Sequence, residues 1–244
     1  MNVVIIGEAC YDEFIYCKVD RICPEAPVPV LNPTAEISNA GMSQNTANNI
    51  RSMFKESRID VIQQNEVITK TRYVESKSNQ MFIRVDKGED KIEPITWNDN
   101  LVKKISDADV VIVSDYNKGF LTDKDITIIG TLSSLSILDS KRKLNNDMIM
   151  DYTFIKLNED ERLNNPLLTK SNIITTLGAK GAQYEGKIFE SPNPQQTIDV
   201  SGAGDTFTAA FIGKYFETKD MSKSIRFANK MASIVVSKRG VTTP

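Results

Sequence analysis

The most chemically loaded stretch of this 244-residue chain is Asp199-Val200-Ser201-Gly202-Ala203-Gly204-Asp205-Thr206, which runs into an apolar helical pattern at Phe207, Ala210, Phe211 and Tyr215. Glycines just ahead of a helix let backbone N–H groups approach an oxyanion, and the helix dipole adds about half a positive charge at that end. Gly202, Ala203 and Gly204 are therefore candidates for a cradle that holds a phosphoryl group on which negative charge develops. Asp205 falls at the helix start beside that cradle, where a carboxylate can take the proton of a hydroxyl attacking phosphorus. The same spacing suits an Asp that merely caps the helix. Spacing alone leaves both readings open.

The chain has no His, which removes Ser-His and Cys-His nucleophiles and any imidazole base. Acid–base work falls to Asp, Glu, Lys, Tyr or Cys. Cys10, Cys17 and Cys23 lack the paired spacing of a zinc site. A net charge of −2 and the lack of a long basic run give no footprint for nucleic acid. No stretch reaches the roughly 18 apolar residues of a membrane span, and the first residues do not read as a signal peptide, so no membrane contact and a cytoplasmic location are expected.

Residues of this kind need a frame that brings them together. Short, nearly continuous apolar runs recur at Val3–Ile6, Val110–Val113, Ser136–Leu138, Phe154–Leu157 and Ile173–Thr176, as in strands buried on both faces. Helical patterns lie among them, with Ala47, Ile50 and Phe54 in one and Ile225, Ala228, Met231, Ala232 and Val235 in another. The alternation predicts an α/β fold: a doubly wound, mostly parallel sheet flanked by helices, in one domain spanning 1–244. Segments 13–38 and 71–90 instead suit a small antiparallel β flap; the first carries Pro24, Pro27, Pro29 and Pro33, which exclude a helix there. In an open parallel sheet, ligands bind beyond the carboxyl ends of the strands. Those ends read Gly7-Glu8, Ser114-Asp115-Tyr116-Asn117-Lys118-Gly119, Asp139-Ser140-Lys141, Asn158 to Glu161, and Thr176-Leu177-Gly178.

Asp-Val-Ser-Gly-Ala-Gly-Asp-Thr-Phe at 199–207 resembles the signature of ribokinase-like (PfkB) carbohydrate kinases. Asp20-Arg21-Ile22-Cys23-Pro24-Glu25-Ala26-Pro27-Val28-Pro29-Val30 is similar to a segment of the D-glycero-β-D-manno-heptose 7-phosphate kinase domains within that family. Ser78-Asn79-Gln80, Ile83-Arg84-Val85-Asp86, Ser114-Asp115-Tyr116 with Lys118-Gly119, and Phe227-Ala228-Asn229 agree, so the likeness spans almost the whole chain.

The resemblance implies an ATP-dependent kinase acting on a sugar phosphate, with Asp205 as base and the Gly202–Gly204 backbone as anion hole. It implies sugar contacts from Asp12, Gly41, Asn45, Asp115 and Lys118, with Arg84 on the flap facing the substrate's phosphate. Nucleotide contacts are implied for Lys141, Asn158, Thr176, Gly178, Gly181 and Asn229, and Asn158 and Glu161 would help place Mg²⁺ through water. It further implies a homodimer through the β flap.

Three departures bear on this reading. The family's Gly-Gly pair reads Gly41-Met42 here, which touches the sugar pocket. The 54–71 stretch is shorter than the family pattern by about one strand and helix, so a sheet edge is expected to be trimmed. The chain ends at Pro244 without a nucleotidyltransferase half, so a separate nucleotidyltransferase is expected for any ADP-sugar pathway. A kinase for another sugar or a nucleoside, and a non-catalytic binding paralogue, are the alternatives.

Overall fold

Val3-Val4-Ile5-Ile6 carries apolar side chains on both sides of its pleat, and all four are buried. A strand of that kind needs cover on both faces, and the sheet around it is built accordingly. The computed structural model describes residues 1–192 and 197–244. Strand β1 is Asn2–Gly7, β2 Ala9–Ile22 and β3 Pro29–Met42, followed by helix α1, Ser43–Met53. Next come β4 Arg58–Ile62, β5 Thr69–Glu75, β6 Met81–Lys87, α2 Asp99–Ser106, β7 Val110–Asp115, α3 Asp123–Leu132 and β8 Ser136–Ser140. The remainder is α4 Asn146–Ile149, β9 Phe154–Asn158, α5 Glu159–Asn164, β10 Ile173–Thr176, β11 Ala182–Tyr184, β12 Lys187–Phe189, α6 Ala203–Thr218 and α7 Met221–Val235.

The main sheet has eight strands in the order β12-β11-β10-β9-β8-β7-β1-β4. It is parallel from β4 to β10, and β11 and β12 add an antiparallel hairpin at the far edge. Val3, Ile5, Val110 and Ile112 pack with Ala47, Ile50, Phe211 and Ile225 from α1, α6 and α7. The alternate residues Val4, Ile6, Val111 and Val113 pack with Leu101, Ile105, Ile126, Ile129 and Met148 from α2, α3 and α4. This is the doubly wound arrangement expected. In the 54–71 stretch, β4 pairs with β1 and forms the sheet edge, so the chain turns from that edge directly into the flap.

The flap is a four-stranded sheet, β3-β2-β5-β6. It consists of two antiparallel hairpins joined by a parallel pairing of β2 with β5. The flap strands reach further toward the main sheet than the 13–38 reading, rooting at Ala9 and Met42. Phe14, Tyr16 and Val74 form its own small buried cluster, and Arg239 from the carboxyl-terminal segment lies over the Tyr16 ring.

Where the flap meets α1, Met42 has φ 55° and ψ −130°, a backbone region that costs a side-chain-bearing residue about 1–3 kcal/mol. Its side chain is buried in a cluster with Cys10 and Ile68, against which Ile92 and Tyr116 pack, and this holds the strained residue in place. The usual rank of small residues should therefore invert here. We expect Met42→Gly to be more stable than Met42→Ala by about 1 kcal/mol in urea unfolding, because glycine relieves the positive φ. A more stable alanine variant would show that the backbone is not strained.

Candidate active site

The carboxyl ends of β8, β9 and β10 and the amino end of α6 enclose a cleft of about 500 Å³. Lys141, Asn158, Thr176, Gly178, Gly181, Gly202, Ala203, Gly204, Asp205 and Asn229 all line it, so ten positions singled out in the sequence converge on one cavity. Tyr116, Asp139 and Lys156 complete the wall nearest Asp205.

Gly202 occupies the position before α6 with φ 77°, and a Cβ there would fall 2.6 Å from Asn45 Nδ2. Only glycine allows this turn; the Ala203 N–H donates to the Val200 carbonyl at 3.3 Å, and the Gly204 and Asp205 N–H groups are left without an intrahelical partner beside the cleft. Asp205 lies in the first turn and is 5% exposed. It does not serve as the N-cap; its Oδ2 accepts from Asn45 Nδ2 at 2.9 Å and its Oδ1 from the Tyr116 hydroxyl at 2.8 Å. Burial pushes its carboxyl up to about 6; the Asn45 bond opposes that, Asp139 adds to it, and Tyr116 and Lys156 oppose it. Such a carboxylate is ionised at neutral pH yet remains a useful proton acceptor.

Behind the glycines stands a buried ion pair. Lys156 Nζ donates to both oxygens of Asp139, at 3.1 and 3.0 Å, and Thr208 Oγ1 donates to the same carboxylate at 2.9 Å. A Cβ added to Gly204 would come within 3.1 Å of Lys156 Nζ, so the ammonium lies directly under the cradle. Burial works against ionised Asp139, but Lys156 and Lys141 outweigh it and hold its carboxyl below the usual range. Lys141 extends from the end of β8 toward Glu161, which accepts from its ammonium, and lies 5.6 Å from the centre of the Tyr116 ring.

Asn158 and Glu161 form a reciprocal capping box at the start of α5: Asn158 Oδ1 accepts from the Glu161 N–H, and Glu161 Oε2 accepts from the Asn158 N–H. Glu161 Oε1 takes Asn158 Nδ2 and Lys141 Nζ. Both carboxylate oxygens are occupied, and no group of three or more His, Cys, Asp or Glu among the described residues is arranged to hold a metal ion. Direct coordination by this pair does not fit the donor set; contact through water does. Asn229 Nδ2 donates to the Phe189 carbonyl at 2.6 Å, fixing α7 to the end of β12 on the opposite wall of the cleft.

On the flap side, Asp12 accepts from Arg72 Nη1 at 2.5 Å and from the Cys10 thiol at 3.6 Å. A Cβ on Gly41 would overlap both Asp12 Oδ2 and Cys10 Sγ, which explains a glycine there. Burial, reinforced by Asp12, pushes the Cys10 thiol up and keeps it protonated. Lys118 Nζ donates to Glu89, which also accepts from Lys70.

One expected substrate contact is corrected, and a second is held by a neighbouring carboxylate. Asp115 has no exposed surface: Arg142 grips it through Nε at 2.7 Å and Nη2 at 2.9 Å, and Ser140 Oγ donates at 2.5 Å. A carboxylate so enclosed holds β7 to the loop after β8 and is not available to a sugar. Arg84 shares the flap face of Asp12 and Arg72, through the register Arg72↔Arg84, but sits on outer strand β6, with Nε and Nη2 both 2.9 Å from Asp86. A substrate phosphate would have to displace Asp86.

A profile described as pfkB family carbohydrate kinase matches residues 46–244. The chain belongs to the pfkB family of carbohydrate kinases. Among curated relatives of this pfkB chain, the bifunctional protein HldE of Helicobacter pylori strain J99 is 29% identical over 297 aligned residues, and that of Nitratiruptor is 28% identical over 292. These alignments cover 98% and 99% of the chain but 63% of each relative, so the chain spans less than two thirds of their length. Solved structures share the fold. Thermotoga maritima ribokinase has a TM-score of 0.75 at 15% identity, covering 98% of this chain and 94% of that one. Arabidopsis thaliana ribokinase, complexed with ribose and ATP, has a TM-score of 0.69 at 17% identity, covering 98% and 93%.

Four residues given no role from the sequence bear on this pfkB site: Arg72 and Lys156, and Glu8 and Tyr116, which stood among the strand ends. Lys156 carried a usable signal, since a lysine inside the apolar strand run Phe154-Ile155-Lys156-Leu157 is rarely buried without a partner. The reassignment of Asp115 has a direct test. Arg142→Met strands a buried carboxylate and should cost about 3–5 kcal/mol in urea unfolding. An unchanged midpoint would mean that Asp115 is not held by this pair.

Proposed function

We propose that this carbohydrate kinase transfers the γ-phosphoryl group of ATP to a hydroxyl of a phosphorylated sugar, D-glycero-D-manno-heptose 7-phosphate, giving the 1,7-bisphosphate. One observation carries the reading: a buried, proton-accepting carboxylate, Asp205, shares a cleft with the amide cradle of Gly202–Gly204. The acceptor oxygen forms the new bond to the γ-phosphorus while the bond from that phosphorus to the bridging oxygen breaks and its electron pair leaves with ADP. The hydroxyl proton passes to Asp205. Phosphoryl transfer asks chiefly for positioning and charge stabilisation, and the cradle, Lys141 and Lys156 supply both.

Mg²⁺, which prefers phosphate oxygens and retained waters, would neutralise charge on the nucleotide and meet Asn158 and Glu161 through water. Asn229, Thr176, Gly178 and Gly181 line the same cleft, which supports their contact with the nucleotide.

A phosphorylated acceptor is favoured by the flap. Lys70, Arg72, Arg84 and Lys118 gather there against three carboxylates, Asp12, Asp86 and Glu89. Four cations facing three carboxylates leave a positive surplus that suits a phosphate. The 29% identity to HldE, named as bifunctional, supports the heptose. Exposed Ile22, Val28, Ile37, Met81 and Ile83 on the flap support a homodimer through it.

Asp205→Asn should lower turnover about 10²–10⁴-fold while leaving the thermal midpoint within a few degrees. Unchanged ADP release would refute the assignment. Because the base works ionised and its pKa is raised to about 6, wild-type kcat/KM should fall as pH drops through that value. Lys118→Met should raise KM for heptose 7-phosphate about tenfold or more and leave KM for ATP unchanged, as loss of a charge-assisted contact does. An equal rise for both substrates would argue against a flap-side phosphate.

A further inference from the structure

Glu8 is buried without exposed surface at the end of β1, and it holds nothing of the reaction directly. Its Oε2 accepts from the Tyr116 N–H at 2.8 Å, and its Oε1 from the Lys118 and Phe120 N–H groups at 3.0 and 3.2 Å. One carboxylate thus takes three alternate amides of the loop that follows β7. That loop is anchored a second time at its root, where Arg142 holds Asp115. A segment fixed twice presents its first side chain, Tyr116, in a single direction. Its hydroxyl donates to Asp205 Oδ1.

Asn45 approaches the other oxygen of Asp205 from α1. An ionised carboxylate offers about four lone-pair sites, so with one donor on each oxygen the group cannot rotate, yet a lone pair on each stays free for an incoming hydroxyl. Burial and the carboxylates of Asp205 and Asp139 keep the Tyr116 hydroxyl protonated far above neutral pH, so it serves as donor throughout.

We propose that Tyr116 is a positioning residue for the base: aimed by Glu8 through the backbone of the Tyr116–Phe120 loop, its hydroxyl fixes the Asp205 carboxylate in the plane in which it receives the sugar proton. This deepens the kinase reading and rests on it. It also has a consequence in acid. The groups facing Asp205 are Asn45 from α1, Cys10 from β2, Tyr116 from the loop after β7, Asp139 and Lys141 at the end of β8, and Lys156 from β9. Of these, Asn45, Tyr116 and Lys156 favour the ionised base, and Asp139 disfavours it. Removing the Tyr116 hydroxyl deletes one of the favourable partners, so the base should take up its proton at a higher pH.

The test compares wild type, Tyr116→Phe and Glu8→Gln in two readouts. The first is the pH profile of kcat/KM with ATP and heptose 7-phosphate. The second needs no turnover: the infrared carboxylate band of ¹³C-aspartate-labelled protein, assigned by its loss in Asp205→Asn and followed across pH. In Tyr116→Phe, a near-isosteric change, both the acid limb and the band should move up by roughly one pH unit, the scale of one hydrogen bond to a charged group. Turnover at pH 7 should fall about tenfold with KM for ATP unchanged. Glu8→Gln turns one acceptor oxygen into a donor facing backbone N–H groups, and should shift both readouts in the same direction. A Tyr116→Phe band that superposes on wild type overturns the proposal, as does a loss of activity expressed wholly in KM for ATP. A band that moves in a protein that turns over no sugar phosphate leaves Tyr116 in its role and sinks the kinase reading alone.

Discussion

An ionised carboxylate buried beside a site for another anion is an unfavourable combination, and much of this molecule is arranged to tolerate it. Asp205 loses nearly all its hydration, and it sits next to Asp139 and close to where phosphates would bind. The counterweights come from separate elements: the amino end of α6, donors from α1 and the loop after β7, and the ammonium of Lys156 on β9. Lys156 is itself informative. A cation beneath the amino end of a helix opposes the helix dipole, so its place there makes sense when Asp139 and an incoming anion share the field.

The parallel sheet explains how such distant residues meet. Asn45 and Asp205 are 160 positions apart, yet α1 and α6 pack on the same face of the sheet. In the main sheet β4, β1, β7, β8, β9 and β10 all point the same way, so their carboxyl ends deliver Glu8, Tyr116, Lys141 and Asn158 to one edge. Among the described residues the flap is the only other sheet, and it adds the charged cluster around Asp12 and Arg72.

Much of this was legible in the residues. The buried strands announced themselves as unbroken apolar runs, and glycines before an apolar helix located the cradle. The cavity gathers Lys141, Asn158, Thr176 and Gly178 because each lies at or just past a strand end, where polar residues have little structural reason to cluster, whereas Asn229 reaches it from α7. Partner choice was not legible. Asp12 in β2 and Asp115 at the end of β7 are both acids near the strand ends, but only Asp115 meets a buried arginine, and that depends on Arg142 folding back 27 residues later. Arg84 and Arg72 lie on the same flap face; which one reaches Asp12 is set by strand order, with β5 beside β2 and β6 outside it. The edge strand β4 escaped notice because a five-residue strand with mixed exposure carries little signal.

In the proposed reaction, the backbone at the start of α6 grips the phosphoryl group in flight, next to Asp205. A crystal structure of the protein with ADP, Mg²⁺ and aluminium fluoride, a mimic of the transferring phosphoryl group, tests this most directly. The fluoride cluster should lie within hydrogen-bond reach of the amides between Gly202 and Asp205, with the Asp205 carboxylate facing its open side. A cluster bound elsewhere in the cleft, with those amides still turned to water, would contradict the account.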